Sequence, residues 1–248
     1  MKTELVRVPA AGQSRDEILS KAGEAIRRGE LVAFPTETVY GLGANAFSGE
    51  AVKRIFEAKG RPQDNPLIVH VSSMEQALSL WQDPTSAWQE RFLLLAEHFW
   101  PGPLTIIGPA SRRIPSAVTA GLETVAVRMP DHPVALGLIR HSGVPIAAPS
   151  ANRSGRPSPT TASHVLEDLE GHVELILDGG ATGIGLESTV LDLVSPKPTV
   201  LRPGGVTIEE LAELLGEVGY ISRLEEGEVA RSPGMKYRHY SPTSKLIL

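Results

Sequence analysis

Apolar residues fall into two patterns along the chain, short continuous runs and longer segments in which they recur every three or four positions. The first pattern is typical of buried strands and the second of amphipathic helices. Predicted strands cover residues 5–8, 31–34, 66–71, 104–108, 124–128, 145–148, 174–177, 188–194 and 199–202. Predicted helices cover residues 14–28, 50–58, 72–81, 87–99, 132–141, 161–169 and 207–218. This interleaving predicts an α/β or α+β class, and the consecutive strands predict a mixed sheet.

Local signals mark the ends of several predicted elements. Three segments have the Ser/Thr-x-x-Glu spacing of a helix capping box, namely Ser14–Glu17, Ser72–Glu75 and Thr207–Glu210. Gly41–Ala46 matches a loose glycine pattern of dinucleotide-binding loops, but it does not join a strand directly to a helix. We therefore expect its glycines to form a tight turn.

Composition limits the classes of protein that the chain can belong to. Its 248 residues are 41% hydrophobic and 21% charged, which predicts one large domain or one domain with a short appendage. The absence of cysteine excludes disulfides and cysteine-ligated zinc or iron–sulfur sites. No apolar run approaches membrane-spanning length, and we expect a cytoplasmic protein. A net charge of −5 argues against a wholly basic nucleic-acid coat, although not against a local basic face.

The sequence changes character after Tyr220. Residues 225–228 are polar and resemble a linker, whereas Ser232–Pro242 places aromatic and cationic residues between prolines. Lys245–Leu248 resembles the start of a strand. We therefore predict a catalytic domain over residues 1–220, a linker or lid over 221–244, and the start of a further domain at 245–248.

Two short segments carry the candidate chemistry. Lys59 and Arg61 lie two positions apart after a predicted helix, and Ser150 and Asn152 lie two apart after a predicted strand. Alternate residues of an extended segment point the same way, so each pair could face one ligand. Cations opposite hydroxyl and amide groups suit a polyphosphate nucleotide. The simpler alternative is that the two cations offset the dipole of the preceding helix.

Other polar residues stand at strand ends. His70 ends an apolar strand and could be an ordinary edge residue or a substrate contact. Ser188 and Arg202 mark strand boundaries, where they could form turns or bind a carboxylate and a phosphate respectively. The sequence contains no Gly-Lys-Ser/Thr phosphate loop, no His-Glu-x-x-His zinc motif and no serine nucleophile elbow.

Taken together, these segments resemble the YrdC-like family, and more narrowly its threonylcarbamoyl-AMP synthases. The resemblance runs from about Ala25 to Pro242 and is carried by Pro35–Gly43, Lys59–Pro62, Asn65–Val71, Trp100–Leu104, Ala126–Pro130, Pro145–Asn152 and Glu187–Thr189. It implies a large twisted mixed sheet with flanking helices and a concave ligand cavity. Ser232–Pro242 resembles the interdomain linker of the two-domain form, whose C-terminal domain this chain would largely lack.

The resemblance implies that L-threonine, bicarbonate or CO2, and ATP give threonylcarbamoyl-AMP and pyrophosphate. This is the first step in making threonylcarbamoyladenosine next to the tRNA anticodon. The implied cofactor is Mg²⁺ bound through ATP, with no metal ligand from the protein. The implied partners are the downstream tRNA threonylcarbamoyl transferase machinery and, as a further expectation, tRNA or double-stranded RNA, with no membrane contact.

The resemblance also assigns roles to individual residues. Lys59 and Arg61 would be catalytic by clamping phosphates. ATP would contact Lys59, Arg61, Asn65, Thr124, Ser150, Asn152, Ser158, Arg202 and Tyr240. Threonine would contact Thr38, His70, Arg128, Ala148 and Ser188. Gly234, Lys236 and Arg238 would belong to a lid that excludes water, although the same segment could be a passive linker.

Two other functions remain open at this point. One is a related carbamoyl-adenylate enzyme, such as the YrdC-like module of hydrogenase maturation proteins, which carry cysteine-rich zinc modules that this chain lacks. The other is a non-catalytic RNA-binding module that uses local cations such as Lys53, Arg54, Arg153 and Arg156. Such binding would weaken steeply with salt and would need no threonine.

Overall fold

A computed structural model describes residues 2–221 and 230–232. Its strands are β1 (Glu4–Arg7), β2 (Val32–Pro35), β3 (Tyr40–Asn45), β4 (Ile68–His70), β5 (Leu104–Pro109), β6 (Thr124–Arg128), β7 (Ile146–Ala147), β8 (Leu175–Asp178), β9 (Thr189–Asp192), β10 (Thr199–Arg202) and β11 (Gly219–Tyr220). Its helices are α1 (Gln13–Arg27), α2 (Gly49–Lys59), α3 (Met74–Leu78), α4 (Ser86–Phe99), α5 (Ser116–Thr119), α6 (Pro133–Ser142), α7 (Ala162–Leu169) and α8 (Ile208–Leu215). The short elements α5 and β11 were not predicted.

The strands form one large sheet in the order β1-β8-β2-β3-β7-β4-β6-β5-β9-β10-β11. Parallel pairs such as β4–β6 and β5–β9 alternate with antiparallel pairs such as β2–β3 and β5–β6. The predicted α/β class and the mixed sheet are therefore confirmed. The pairings place the carboxyl ends of β4, β6 and β10 on the same edge of the sheet as the amino end of β9, while β2 runs in the opposite direction to β4.

Helices cover the sheet and enclose its apolar residues. The helices α1 and α6 cross closely because Gly23 lies against the backbone of residue 141 and Gly137 lies against Leu19. A Cβ at either glycine would come within 2.7 Å of those atoms, so neither position has room for a side chain. This packing covers β2, which contacts both helices.

The glycines at 41 and 43 lie inside strand β3, so the predicted tight turn is wrong. A Cβ on Gly43 would be 2.7 Å from the Ile146 side chain and 2.8 Å from the Phe34 ring. These glycines therefore allow close packing between neighbouring strands rather than a change in chain direction. A Cβ on Gly41 would be 3.4 Å from the Cβ of Ala148.

Helix starts followed the predicted pattern only in part. Thr207 and Glu210 form the predicted reciprocal capping box of α8. The box predicted at Ser14 is wrong, because α1 begins at Gln13 after Gly12 and has no side-chain cap. The box predicted at Ser72 is also displaced, because Ser73 caps α3.

The described residues near the end of the chain contact the body of the sheet. Ala230 and Ser232 are buried, and Arg231 Nη1 donates to Asp192 Oδ2 at 2.6 Å. The residues predicted for a lid and for ATP contact, Gly234, Lys236, Arg238 and Tyr240, lie outside the described part of the chain. Among the residues that the structure describes, no helix combines the length and apolar character needed to cross a bilayer.

Candidate active site

A cleft that is partly open to solvent is lined by residues from the ends of β4, β6 and β10, from the segment after β2 and from the segment before β9. Eight of the predicted site residues line it, namely Thr38, Arg61, His70, Arg128, Ala148, Ser150, Ser188 and Arg202. Their positions in the sequence range from Thr38, three residues after β2, to Arg202, the last residue of β10. The fold thus assembles one cleft from residues that were predicted separately for ATP and for threonine.

Lys59 does not line the cleft with Arg61, contrary to the prediction that both cations face one ligand. Gly60 ends α2 in the left-handed conformation, with φ 60° and ψ 38°. The segment is therefore not extended, so the alternation that would place both side chains on one face does not apply. Lys59 Nζ instead donates to the carbonyl oxygens of Ser150 and Asn152, at 2.5 Å in the case of Ser150.

The environment of Lys59 also alters its charge. Burial, followed by the neighbouring Arg61 guanidinium, lowers the pKa of Lys59 to about 7. A group with this pKa is only partly cationic at neutral pH, whereas a solvated lysine is fully charged. The position of Lys59 suits fixing the Ser150 loop, and its predicted direct contact with phosphate stays a prediction.

The second predicted pair, Ser150 and Asn152, separates in the same way. Ser150 lines the cleft, whereas the Asn152 amide donates to the carbonyls of Arg153 and Arg156 at 2.9 and 2.7 Å. Asn152 is buried, and its own carbonyl accepts from Lys59. Asn152 therefore stabilises the loop that carries Ser150.

Arg128 is held from three sides at the wall of the cleft. Its Nε donates to Gly102 O at 3.1 Å, Nη1 to Thr38 Oγ1 at 3.0 Å, and Nη2 to Glu37 Oε1 at 2.6 Å. A guanidinium has five N–H groups, so two of them have no partner among the described residues. Those two N–H groups can donate to a substrate carboxylate.

Arg202 is held in a similar arrangement on the other side. Its Nη1 donates to Glu187 Oε2 at 2.7 Å and its Nη2 to Ser188 Oγ at 3.0 Å. Ser188 Oγ is also 2.7 Å from Thr105 Oγ1. Arg128 and Arg202 therefore each contact both a glutamate and the hydroxyl of the residue that follows that glutamate.

His70 is buried and uncharged. In the parallel pairing of β4 with β6 it lies opposite Arg128. Burial lowers the pKa of His70 to about 3, and the charge of Arg128 is the second cause of this decrease. Its Nδ1 has no hydrogen-bond partner within the described ranges. His70 can thus form a neutral hydrogen bond to a substrate without adding charge.

The titration of His70 predicts a specific acid sensitivity. The folded state keeps His70 neutral above about pH 3, whereas the unfolded state binds a proton below its ordinary pKa of about 6.5. Stability is therefore lost as pH falls from about 6.5 towards 3, by about 3 kcal/mol at pH 4.5. The free energy of unfolding is measured in urea at pH 7 and at pH 4.5. Its decrease between these two pH values should be smaller for His70→Gln than for the wild type, by about that amount.

A surface histidine provides the matched control for this measurement. His98 is exposed at the end of α4, and His98→Gln should keep the pH dependence of the wild type. If the two variants respond to acid alike, burial of neutral His70 does not account for the acid sensitivity.

The remaining predicted contacts lie at different distances from the cleft. Ser158 Oγ donates to Glu187 Oε1 at 2.9 Å, which places Ser158 beside Arg202. Asn65 is buried, and its Oδ1 has no partner in the described part of the chain. Thr124 begins β6, roughly 13 Å along the strand from Arg128, and does not line the cleft. Its predicted contact with ATP is not supported by this arrangement and stays a prediction.

Glu37 and Glu187 are site residues that the sequence reasoning missed. Each precedes a predicted threonine contact, Thr38 or Ser188, and each pairs with an arginine that lines the cleft. Their side chains are only 13% and 12% exposed, which is unusual for glutamate. Two signals in the sequence could have identified them. Each glutamate is adjacent to a residue predicted to contact the substrate, and the arginines predicted for the site would need carboxylates to balance their charge.

Two family profiles match the chain. Residues 24–204 match the family profile described as telomere recombination. Residues 206–248 match the profile of the threonylcarbamoyl-AMP synthase C-terminal domain, so the chain carries sequence of both domains. This second match begins before the predicted linker, and our predicted domain boundaries stay a prediction.

Individual relatives are similar over most of the chain. The threonylcarbamoyl-AMP synthase of Pyrococcus abyssi is 56% identical over 225 residues, which are 90% of this chain and 65% of the relative. That of Bacillus subtilis is 52% identical over 252 residues, covering 100% of this chain and 72% of the relative. The chain thus spans about two thirds of the length of these relatives.

A solved structure supports the fold. The crystal structure of Pyrococcus abyssi Sua5 complexed with L-threonine superposes with a TM-score of 0.93 at 52% identity, covering 98% of this chain and 70% of that one. The two sequence profiles, the relatives and the solved structure agree with one another. This chain belongs to the threonylcarbamoyl-AMP synthase family.

Proposed function

We propose that the chain forms threonylcarbamoyl-AMP and pyrophosphate from L-threonine, bicarbonate or CO2, and ATP. The observation that carries this proposal is that Arg61, Arg128 and Arg202 line one cleft together with neutral His70. A site for an amino-acid carboxylate next to a site for phosphates is what the reaction requires. The similarity to named synthases supports the same conclusion.

The amino acid would bind at the Arg128 side of the cleft. Its carboxylate would accept from the two N–H groups of Arg128 that have no partner in the described residues. The hydroxyls of Thr38 and Ser188 and the ring of His70 would provide polar contacts for the threonine hydroxyl and amine. Ala148 and Ile68 also line the cleft and offer apolar surface for the methyl group.

The nucleotide would bind at the Arg61 and Arg202 side. Both guanidinium groups would neutralise phosphate oxygens, and Ser158 lies close through its bond to Glu187. Lys59 would act through the loop that it holds, because its Nζ donates to the Ser150 carbonyl. The loop in turn places Ser150 at the cleft.

Magnesium would be held by the phosphate oxygens of ATP. Within residues 2–221 and 230–232, no three His, Asp or Glu side chains lie close enough together to hold a metal ion. Both oxygens of Glu187 already accept hydrogen bonds, from Ser158 and Arg202. Bound Mg²⁺ would neutralise charge on the triphosphate, in addition to the arginines.

The reaction needs no nucleophile from the protein. The amine of threonine adds to CO2, forms a carbamate and releases a proton. A carbamate oxygen then bonds to the α-phosphorus, and the bond from that phosphorus to pyrophosphate breaks. Catalysis of such a transfer consists mainly of positioning the reactants and stabilising charge, which the three arginines of the cleft can supply.

The wider biological role is also part of this proposal. The product would be used by tRNA threonylcarbamoyl transferase machinery to make threonylcarbamoyladenosine next to the anticodon, in the cytoplasm. Contact of this chain with tRNA or double-stranded RNA is a further expectation from the sequence that the cleft itself does not require.

One assay tests the central proposal. The protein is incubated with Mg-ATP, bicarbonate and labelled L-threonine, and the products are separated and identified by mass. We expect two products in equal amounts, the mixed anhydride threonylcarbamoyl-AMP and pyrophosphate. The formation of both should depend on threonine. Omission of threonine is the control. ATP cleavage that is indifferent to threonine, or no ATP turnover, would contradict the proposal.

The RNA-binding alternative receives less support. Of the four cations considered for it, Lys53 pairs with Glu50, Arg54 with Glu174, and Arg156 with Asp168. A cation that is already paired with a carboxylate contributes little to phosphate attraction. A strongly salt-dependent affinity for RNA without threonine-dependent turnover would nevertheless favour that alternative.

A further inference from the structure

Glu37 is the counter-charge of the arginine that faces the amino acid. One of its oxygens, Oε1, accepts from Arg128 Nη2 at 2.6 Å. The other, Oε2, is buried and has no hydrogen-bond partner among the described residues. Glu187, by contrast, has partners on both oxygens. Glu37 therefore leaves part of its negative charge unbalanced beside the Arg128 site.

The backbone holds Glu37 in this position. Its carbonyl accepts from Ile184 N at 2.9 Å, and the carbonyl of the next residue, Thr38, accepts from Gly185 N at 3.0 Å. The side chain is 13% exposed, so little water screens it. The charge of Glu37 is thus a fixed part of the electrostatic field of the cleft.

An α-amino acid bound to Arg128 would place its nitrogen within the reach of that field. Two covalent bonds separate the α-nitrogen from the carboxylate carbon. When the carboxylate contacts Arg128, the nitrogen therefore lies within roughly 6 Å of the guanidinium, by ordinary bond lengths and hydrogen-bond distances. Glu37 contacts the same guanidinium, so an ammonium group there would be attracted and a second anion repelled.

Building on the proposed function, we propose that Glu37 determines specificity by making the Arg128 site select an α-amino acid over the hydroxy acid of the same shape. The relevant competitor is (R)-3-hydroxybutyrate, which is threonine without its amine. It has the same carboxylate, hydroxyl and methyl groups, but it carries a net negative charge. It cannot form a carbamate, so it would occupy the cleft without reacting.

The test measures the preference between these two ligands. Dissociation constants for L-threonine and (R)-3-hydroxybutyrate are measured by calorimetry or ligand-observed NMR, without ATP, at pH 7. The quantity of interest is the constant for the hydroxy acid divided by the constant for threonine. Glu37→Gln keeps an oxygen that can accept from Arg128 and removes the charge. We expect it to lower this ratio at least about tenfold.

Two further variants make the comparison specific. Glu37→Asp keeps the negative charge but places it farther from Arg128. Its ratio should therefore lie between those of the wild type and Glu37→Gln. Glu174→Gln also removes a carboxylate from an arginine pair, that with Arg54, but away from the cleft. Its ratio should equal that of the wild type. Thermal unfolding of each variant verifies that the protein is folded, and Glu37→Asp provides the result if Glu37→Gln does not fold.

The outcomes separate this inference from the proposed function. If the wild type binds threonine and the ratio is the same in all variants, the assigned role of Glu37 is wrong while the proposed function stands. An equal weakening of both ligands would likewise overturn it, since Glu37 would then act only by orienting Arg128. If the wild type does not bind threonine at all, the proposed function itself fails.

Discussion

Arg61→Ala is expected to lower the rate of threonine-dependent AMP anhydride formation by about 10³-fold. Arg61 follows the left-handed Gly60, which directs its side chain into the cleft while Lys59 is buried behind the loop. Its charge would act on the phosphates as negative charge develops during transfer. The loss should therefore appear mainly in kcat, with the KM for threonine changed much less.

The measurement is steady-state release of pyrophosphate with ATP and threonine varied separately. Arg61→Lys should be intermediate, because it keeps a charge but loses the planar fork of the guanidinium. Arg140→Ala is the matched control, since Arg140 is exposed on α6 and lies away from the cleft. An Arg61→Ala enzyme that keeps its kcat would show that the phosphates bind elsewhere.

Arg128→Ala is expected to abolish threonine binding and to destabilise the fold by about 3–5 kcal/mol. Arg128 is 3% exposed and is the partner of Glu37. Its removal would leave the Glu37 carboxylate buried with neither oxygen paired, besides removing the donors for the substrate carboxylate. Calorimetric titration with threonine and urea unfolding at pH 7 measure the two effects.

A double variant separates those two effects. In Arg128→Ala/Glu37→Ala the buried charge is also removed, so part of the lost stability should return. Threonine binding should stay absent, because the carboxylate has no guanidinium to bind. Threonine affinity close to that of the wild type in either variant would rule out Arg128 as the carboxylate site.

Much of the fold was predictable because its core elements carry strong local patterns. Strand β10, for example, was predicted with the bounds that the structure has, and the capping box of Thr207 correctly marked the start of α8. Errors arose where local signals compete. Gly41 and Gly43 have the composition of a turn, but their packing against Phe34 and Ile146 decides in favour of a strand. That packing depends on residues distant in sequence.

The site was predictable as a set of residues but not as an arrangement. The resemblance identified eight of the residues that line the cleft, because each stands in a recognisable segment. Lys59 and Arg61 were predicted to point the same way because alternate residues of an extended segment do so. The segment is not extended, because Gly60 between them adopts the left-handed conformation. The roles of Glu37 and Glu187 could not be predicted, since a glutamate in sequence gives no sign of whether it is buried beside an arginine.

The cleft unites side chains from the carboxyl ends of β2, β4, β6 and β10 with the residues just before β9, so none of its walls is local in sequence. Bringing such distant segments together costs loop-closure entropy and makes folding slow. Activity should consequently be among the last properties to return when the denatured chain is renatured, after compact secondary structure has already formed. An isolated half of the sheet would not keep half of the activity, since the pair of Glu37 with Arg128 joins the two halves.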